Sequence, residues 1–279
     1  MCLLSTAVAI VFAEPVRARH RARTDPAEPI FTQRPFIEKD LELDVGWERG
    51  SGSHLLEPVL GNTWVFWDRL ETSVEIPVVV RLPEHGPAAG GLSDVAFGLQ
   101  LLVCCAPGKL LDYLSVRADV EAPTGSRARD LGGTGSFTVS LLPGRLVTIG
   151  ESLPDLFVQV QIAYSQDIRA SADDVATAAR LGRPVVREKD FIWNLALSQT
   201  YLDGRIRPVA EVLGTTVADA DAPSDEGTIV ELAAGLWVAP FSDEHWLAPV
   251  SLGLGYRWPV TSRHDTLMAA LFIVEWAFE

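Results

Sequence analysis

Five histidines, His20, His54, His85, His245 and His264, are the side chains best suited to proton transfer or metal binding near neutral pH. Their spacing supports neither. No two stand at a metal-ligand interval, and Cys2, Cys104 and Cys105 form no CxxC or CxxCH pattern, so zinc and c-type haem sites have no support. No GxSxG elbow presents a serine nucleophile. A hydrolase assembled in space from scattered Ser, His and acidic residues stays open as an alternative. The histidines beyond His20 fall at strand ends or in loops, where such residues are ordinarily solvated. Gly125, Gly132, Gly133 and Gly135 suggest a phosphate loop, yet no Lys-Ser/Thr follows and no helix opens there, which leaves a turn. Asp219, Asp221, Asp225 and Glu226 lack the layout of a calcium-binding EF-hand and read as a solvated loop. No catalytic, cofactor-binding or metal-binding residue is therefore assigned, and the chain is expected to perform no covalent chemistry.

The polar residues with a common geometry are charges that recur at every second position. Carboxylates at Asp40, Glu42, Asp44, Glu71, Glu75, Asp119, Glu121, Glu211, Glu231 and Glu275 outnumber arginines at Arg81, Arg117, Arg205, Arg207 and Arg257. A helix would scatter such residues around its circumference, whereas a strand collects them on one face. Asp40 to Glu48 is the clearest case. Leu41, Leu43, Val45 and Trp47 share one face, and Asp40, Glu42, Asp44 and Glu48 the other. The alternation returns in 70–82, 94–105, 114–123, 156–164, 190–201, 246–258 and 265–278, and more weakly in 54–67, 136–142, 205–213 and 228–240. In the last segment Phe272, Val274, Trp276 and Phe278 share a face, as in a terminal strand recognised by outer-membrane assembly machinery.

About twelve strands result, each long enough to cross a bilayer when tilted. The predicted fold is all-β: a transmembrane antiparallel up-and-down barrel. Short turns at Asp68-Arg69, Pro107-Gly108, Asp203-Gly204 and Ser242-Asp243 alternate with longer connections at 83–91, 124–133, 166–187 and 215–226. That asymmetry fits periplasmic turns and exterior loops, so 166–187 and 215–226 are expected to face outward. A soluble sandwich or a lipid- or sugar-binding barrel would show the same alternation with the apolar face turned inward. The membrane reading is favoured by strand number, by aromatics at strand ends (Trp47, Trp67, Trp246, Tyr256, Trp258, Trp276) and by the N-terminus.

Leu3 to Phe12 is a short apolar core ahead of Val11-Phe12-Ala13, which resembles a signal cleavage site. The basic residues that usually precede such a core are missing, which places the expected true start upstream of Met1. Residues 1–13 are read as signal, 14–34 as a periplasmic tail rich in arginine at its start, and 35–279 as the barrel. Of 279 residues 48% are hydrophobic, and the mean hydropathy is +0.17. No apolar run reaches the roughly 18 residues of a spanning helix, whereas a barrel disperses its apolar residues at alternate positions. The net charge of −14 argues against a nucleic-acid partner.

Three stretches resemble a known family. Arg34-Pro-Phe-Ile-Glu-Lys-Asp-Leu-Glu-Leu-Asp-Val-Gly-Trp47 joins Pro-Phe to an alternating strand. Gly91-Leu-Ser-Asp-Val-Ala-Phe-Gly-Leu-Gln100 is similar to a "GxGDxxxGxK" strand, with Ser93 for Gly and Gln100 for Lys. Ala122-Pro-Thr-Gly to Leu131-Gly-Gly133 resembles a "PTGxxxxxLGxG" loop. Together they resemble the outer-membrane transporter family named for the MetA-pathway of phenol degradation. The resemblance implies an outer-membrane barrel with a transport role, adds an aromatic or other hydrophobic compound to the expected solutes, and carries over no catalytic residue. The expected partners are outer-membrane lipid, the barrel assembly machinery through the last strand, and a small-molecule solute.

If the charged face lines a lumen, two functional readings follow. Water fills a narrow channel, and the carboxylate excess favours cations. Alternatively, arginines and carboxylates interlock and the barrel is closed. About twelve strands lie between filled eight-stranded barrels and open porins, so size leaves both standing.

Overall fold

The computed structural model describes residues 29–50, 53–105, 110–126, 133–150, 153–168, 189–218, 227–241, 246–247, 249–261 and 266–277. The signal and residues 14–28 of the tail lie outside them, as do Pro107-Gly108, Ser242-Asp243 and most of 166–187 and 215–226.

The described residues form strands β1 (Asp40–Gly50), β2 (Ser53–Phe66), β3 (Leu70–Pro83), β4 (Ala89–Leu92), β5 (Val95–Cys105), β6 (Tyr113–Ala122) and β7 (Ser136–Val147). They continue with β8 (Leu156–Asp167), β9 (Lys189–Gln199), β10 (Ile206–Ala218), β11 (Gly227–Val238), β12 (Val250–Pro259) and β13 (Thr266–Ala277). Both β4 and β5 pair with β3, so they are one stave interrupted at Ser93-Asp94. Each stave runs antiparallel to its sequence neighbours. β1 pairs with β2 on one side and with β13 on the other, from Asp40↔Ala277 to Gly50↔Thr266, which closes a twelve-stranded barrel. Closure through β1 and β13 removes the free edges that an open sheet would carry at its first and last strands.

Burial shows which way the barrel is turned. Leu99, Leu141, Leu254 and Phe272 are exposed, and so are Phe97, Val116, Val139 and Ile162. Their strand neighbours Gln100, Ser115, Ser140, Gln161, Ser251 and Glu275 are buried. The polar face is the inner one, and the apolar face forms a continuous exterior. Water solvates such a surface poorly and hydrocarbon solvates it well. A soluble barrel or sandwich would have the opposite arrangement. Tyr256 stacks on Trp258 and Trp47 on His54, both with centroids 5.8 Å apart, on this outer face. On the same surface Trp193 lies over Gly214, its cross-strand partner, where any side chain would collide with the indole.

Two tight turns sit at the end of the barrel where β1 begins and β13 ends. Trp67 and Asp68 both have positive φ (51° and 54°), as do Leu202 and Asp203 (51° and 54°), followed by Gly204 at 86°. Two successive left-handed residues suit the right-handed twist of the flanking strands; the loops hold three residues between Phe66 and Leu70 and four between Tyr201 and Ile206. The turn centres on Trp67-Asp68, one residue earlier than expected. The expected loop 215–226 is shorter than the sequence suggests. β10 runs on through Ala218, because Thr216 and Thr228 continue the ladder and share a hydroxyl hydrogen bond of 3.0 Å.

The wall begins at Asp40 and not at Pro35. Pro29 to Lys39 forms no ladder, and this segment runs inside the barrel. Pro35 has no N–H to give a ladder, and several of the segment's other backbone N–H and C=O groups bond to side chains of the wall.

Candidate functional site

The inner face of the wall carries most of the charges expected there. Asp40, Glu71, Arg117, Arg207, Glu211, Glu231 and Glu275 are buried. Glu42, Asp44, Arg81, Asp119 and Arg257 are half-buried on the same face, and Glu121 is exposed where β6 ends. Glu75 keeps 46% of its side chain exposed within the lumen. Arg205 is the exception. It lies in the turn before β10, exposed, so it is outside the lumen; the strand starts one residue later than the pattern suggested.

Charges are grouped and not spread evenly. Arg117 contacts Asp119 (2.8 Å), Glu71 (3.3 Å) and Glu75 (3.8 Å). Its guanidinium has room because β5 presents Gly98 opposite: a Cβ there would lie 2.6 Å from Arg117 Nη2. Arg257 bridges Glu48 (3.2 Å) and Glu231 (3.4 Å). Arg207 turns toward the nearby turn, donating from Nε to the carbonyl of Gly204 at 2.9 Å. Past the Arg117 group a row of carboxylates runs across the ladder, sharing Glu75 with that group. Glu275 faces Glu42 across β13–β1, Glu42 faces Gly61, Gly61 faces Glu75, Glu75 faces Ala96, and Ala96 faces Glu121.

The Pro29–Lys39 segment crosses this lumen from the β1–β3 side to the β10–β12 side. Glu211 Oε1 accepts from the backbone N–H of Ile30 (2.7 Å) and Phe31 (3.0 Å). Gln161 accepts from Gln33 N (3.2 Å) and Glu71 from Glu38 N (3.1 Å). In the other direction, Gln100 Nε2 donates to the carbonyls of Arg34 (3.1 Å) and Phe36 (3.2 Å). Ser115 donates to the Pro35 carbonyl and Gln159 to that of Gln33. Arg34 closes the segment onto the start of the wall, 2.6 Å from Asp40 and 3.6 Å from Glu71. Buried backbone groups need partners, and here uncharged amides and hydroxyls of the inner face supply many of them.

Side chains of the segment enter apolar seats within the otherwise polar interior. Ile30 packs with Val209, Trp237 and Ile273, and its methyls fill the space above Gly235 and Gly255. Phe31 lies beside Gly255 with the Arg257 guanidinium 5.6 Å from its ring centre. Phe36 meets Tyr113 (6.0 Å, edge-on) and Phe157 (6.4 Å). Gly144 makes room for Pro35 and Phe157 together. Beside the segment remains a cavity of about 320 Å³, walled by Glu42, Thr63, Glu71, Ser73, Glu75 and Arg117 and by segment residues 29–34. Among the described residues no cluster of His, Cys, Asp and Glu is placed to hold a metal ion.

At the rim opposite the tight turns, Asp94 organises the connection after β6. Its carboxylate accepts from the backbone N–H of Gly125 (2.7 Å), Gly133 (2.7 Å) and Gly135 (2.9 Å). Gly135 has φ +61°, and a Cβ there would press on the Glu121 carbonyl and Pro123. Of the four glycines that suggested a phosphate loop, Gly125, Gly133 and Gly135 thus bind a carboxylate of the protein itself, and Gly132 lies outside the described residues. Missed at the sequence level were Arg34, which lies on no strand face, and the neutral set Gln100, Ser115, Gln159 and Gln161, whose positions on polar faces were visible though no charge marked them.

No family model matches the chain, and no curated protein matches it. Solved structures do. An outer membrane channel from Pseudomonas putida F1 superposes with a TM-score of 0.60 at 11% identity, over 90% of this chain and 100% of that one. The fold is that of an outer-membrane β-barrel. The NanC porin matches with a TM-score of 0.54 at 12% identity, over 86% of this chain and 99% of its own. The beta domain of the Bordetella autotransporter Brka gives 0.53 at 15%, over 86% and 100%. At such identities the likeness is one of architecture.

Proposed function

We propose that this protein is a channel of the bacterial outer membrane for passive or facilitated passage of a small molecule, with a weak preference for cations. The observation that carries the reading is the row of carboxylates Glu42, Glu75 and Glu121 on the inner wall, where Glu75 meets Arg117 at 3.8 Å yet keeps 46% of its side chain exposed and Glu121 is exposed. Fixed carboxylates lining a wet passage lower the energy of a cation and raise that of an anion. The apolar exterior suits lipid, the tight turns face the periplasm, and β13 is the strand offered to the assembly machinery. Membership of the family named for the MetA-pathway of phenol degradation belongs to the same proposal. It is supported by the roles of the residues behind the resemblance: Pro35 and Phe36 seat the segment, Asp94 holds the glycine loop, and Gly98 admits Arg117.

The segment in the lumen favours a second reading, a barrel whose interior is permanently filled. Single-channel recording in a planar bilayer under a salt gradient separates them. Cation-selective events support the channel, and clear anion selectivity contradicts the charge argument. Silence from both the natural chain and a variant with the Ile30 seat filled, Gly235→Val, supports the filled barrel.

A further inference from the structure

The wall holds the Pro29–Lys39 segment mainly by its main chain. Gln100, Ser115 and Gln159 donate to its carbonyls, and Glu211, Gln161 and Glu71 accept from its N–H groups. Bonds to the main chain are indifferent to sequence, while pockets for side chains supply selectivity. The pockets are of two kinds. Apolar seats take Ile30 at Gly235–Trp237 and Phe36 at Tyr113–Phe157. Between them, Asp40 and Glu71 take the basic side chain of Arg34. From this arrangement we propose that the lumen is a binding site for an extended oligopeptide with a basic residue between apolar ones, and that the resident segment occupies it as a tethered competitor. The inference rests on the reading of the barrel as a channel and names the class of its solute.

A tethered occupant lowers the apparent affinity of a free one in proportion to the fraction of time the site is filled. Weakening the tether's grip should therefore reveal the site. The probe is a fluorescein-labelled peptide with the sequence of residues 29–39, followed by anisotropy on the full chain in detergent micelles. Substituting Ile30→Ser and Phe36→Ser together should tighten peptide binding at least tenfold over the natural chain. Adding Gln100→Leu and Gln159→Leu should reverse that gain at least tenfold. An unlabelled peptide of different sequence but the same apolar–basic–apolar order should compete, whereas phenethylamine should not. Heat-modifiable migration on gels reports whether each variant is folded. No saturable binding to a folded Ile30→Ser, Phe36→Ser variant overturns the proposal, as does binding insensitive to Gln100 and Gln159, or equal competition by phenethylamine. If that variant does not fold, titration of the natural chain at millimolar peptide decides: saturable binding weakened by Gln159→Leu supports the site, and its absence refutes it. Conductance without peptide binding rejects this inference alone, and peptide binding without conductance rejects the channel reading.

Discussion

The guanidinium of Arg117 occupies the volume that a side chain on Gly98 would need. A Cβ at position 98 would lie closest to Ser73 Oγ, which accepts from Arg117 Nη2, and would come 2.6 Å from Arg117 Nη2 and 2.9 Å from Asp119 Oδ1, closer than real side-chain carbons come. Gly98→Ala is therefore expected to push Arg117 off Glu71 and Asp119. Overpacking of this kind costs on the order of 1–3 kcal/mol. Urea unfolding in detergent micelles should show a lowered midpoint, and Gly98→Ala with Arg117→Ala should recover part of it. A midpoint unchanged in Gly98→Ala would show that the guanidinium can move freely.

Asp94 gives one carboxylate to three glycine N–H groups. Hydrogen bonds to a charged acceptor contribute roughly 1.5–3 kcal/mol each, and they act on a loop outside the ladder. Asp94→Ala should release the connection between β6 and β7 while the barrel stays closed. Limited proteolysis is expected to cut at 123–135 many times faster in the variant, with heat-modifiable migration preserved. Equal cutting rates would mean that the loop is held by other means.

Selectivity should follow the carboxylate row. Glu75 and Glu121 are its most exposed members, and Glu75→Gln with Glu121→Gln removes two charges without changing side-chain volume. The reversal potential under a salt gradient is expected to move toward zero, with the unfolding midpoint preserved. A reversal potential identical to that of the natural chain would place the selectivity elsewhere.

Orientation of the wall has its own test. Leu99 is exposed near the middle of β5, next to Gln100, which is buried. An arginine on the lipid face of a barrel at mid-depth costs about 2–4 kcal/mol. Leu99→Arg should therefore destabilise the protein in lipid vesicles far more than Glu121→Arg at the strand's end. If the two substitutions cost the same, the exterior is not in hydrocarbon.

The wall was legible in the sequence because a strand writes its two faces at period two. Leu41 and Glu42 declare opposite sides regardless of what lies around them. The segment was not legible for the same reason. Pro29 to Lys39 has no periodic partner, and its contacts reach residues as distant as Glu211, 181 positions away. The pair Pro35-Phe36 was noticed as the opening of a strand, whereas its role is to dock between Ser115, Gly144 and Phe157. Charge alone was an incomplete guide to the interior. The side chains that hold the segment's carbonyls, Gln100, Ser115 and Gln159, are neutral, and Trp237 faces inward because Ile30 is there to cover it.

Ile30 binds against β10, β11 and β13, yet it precedes β1 in the chain. The barrel closes where β1 meets β13, so the segment and the seam join the same two ends of the polypeptide. A ring closed around its own leading strand cannot admit that strand's N-terminal neighbour sideways afterwards. The segment either lies within the curling sheet before the last hydrogen bonds form, or threads in through the open end. In the first case its bonds to Glu211 and Gln159 tie the early strands to the late ones while the seam is still open. Contacts of such sequence separation form slowly and are entropically costly. A peptide that bridges the gap from inside shortens that search, acting as a mandrel around which the staves are bent.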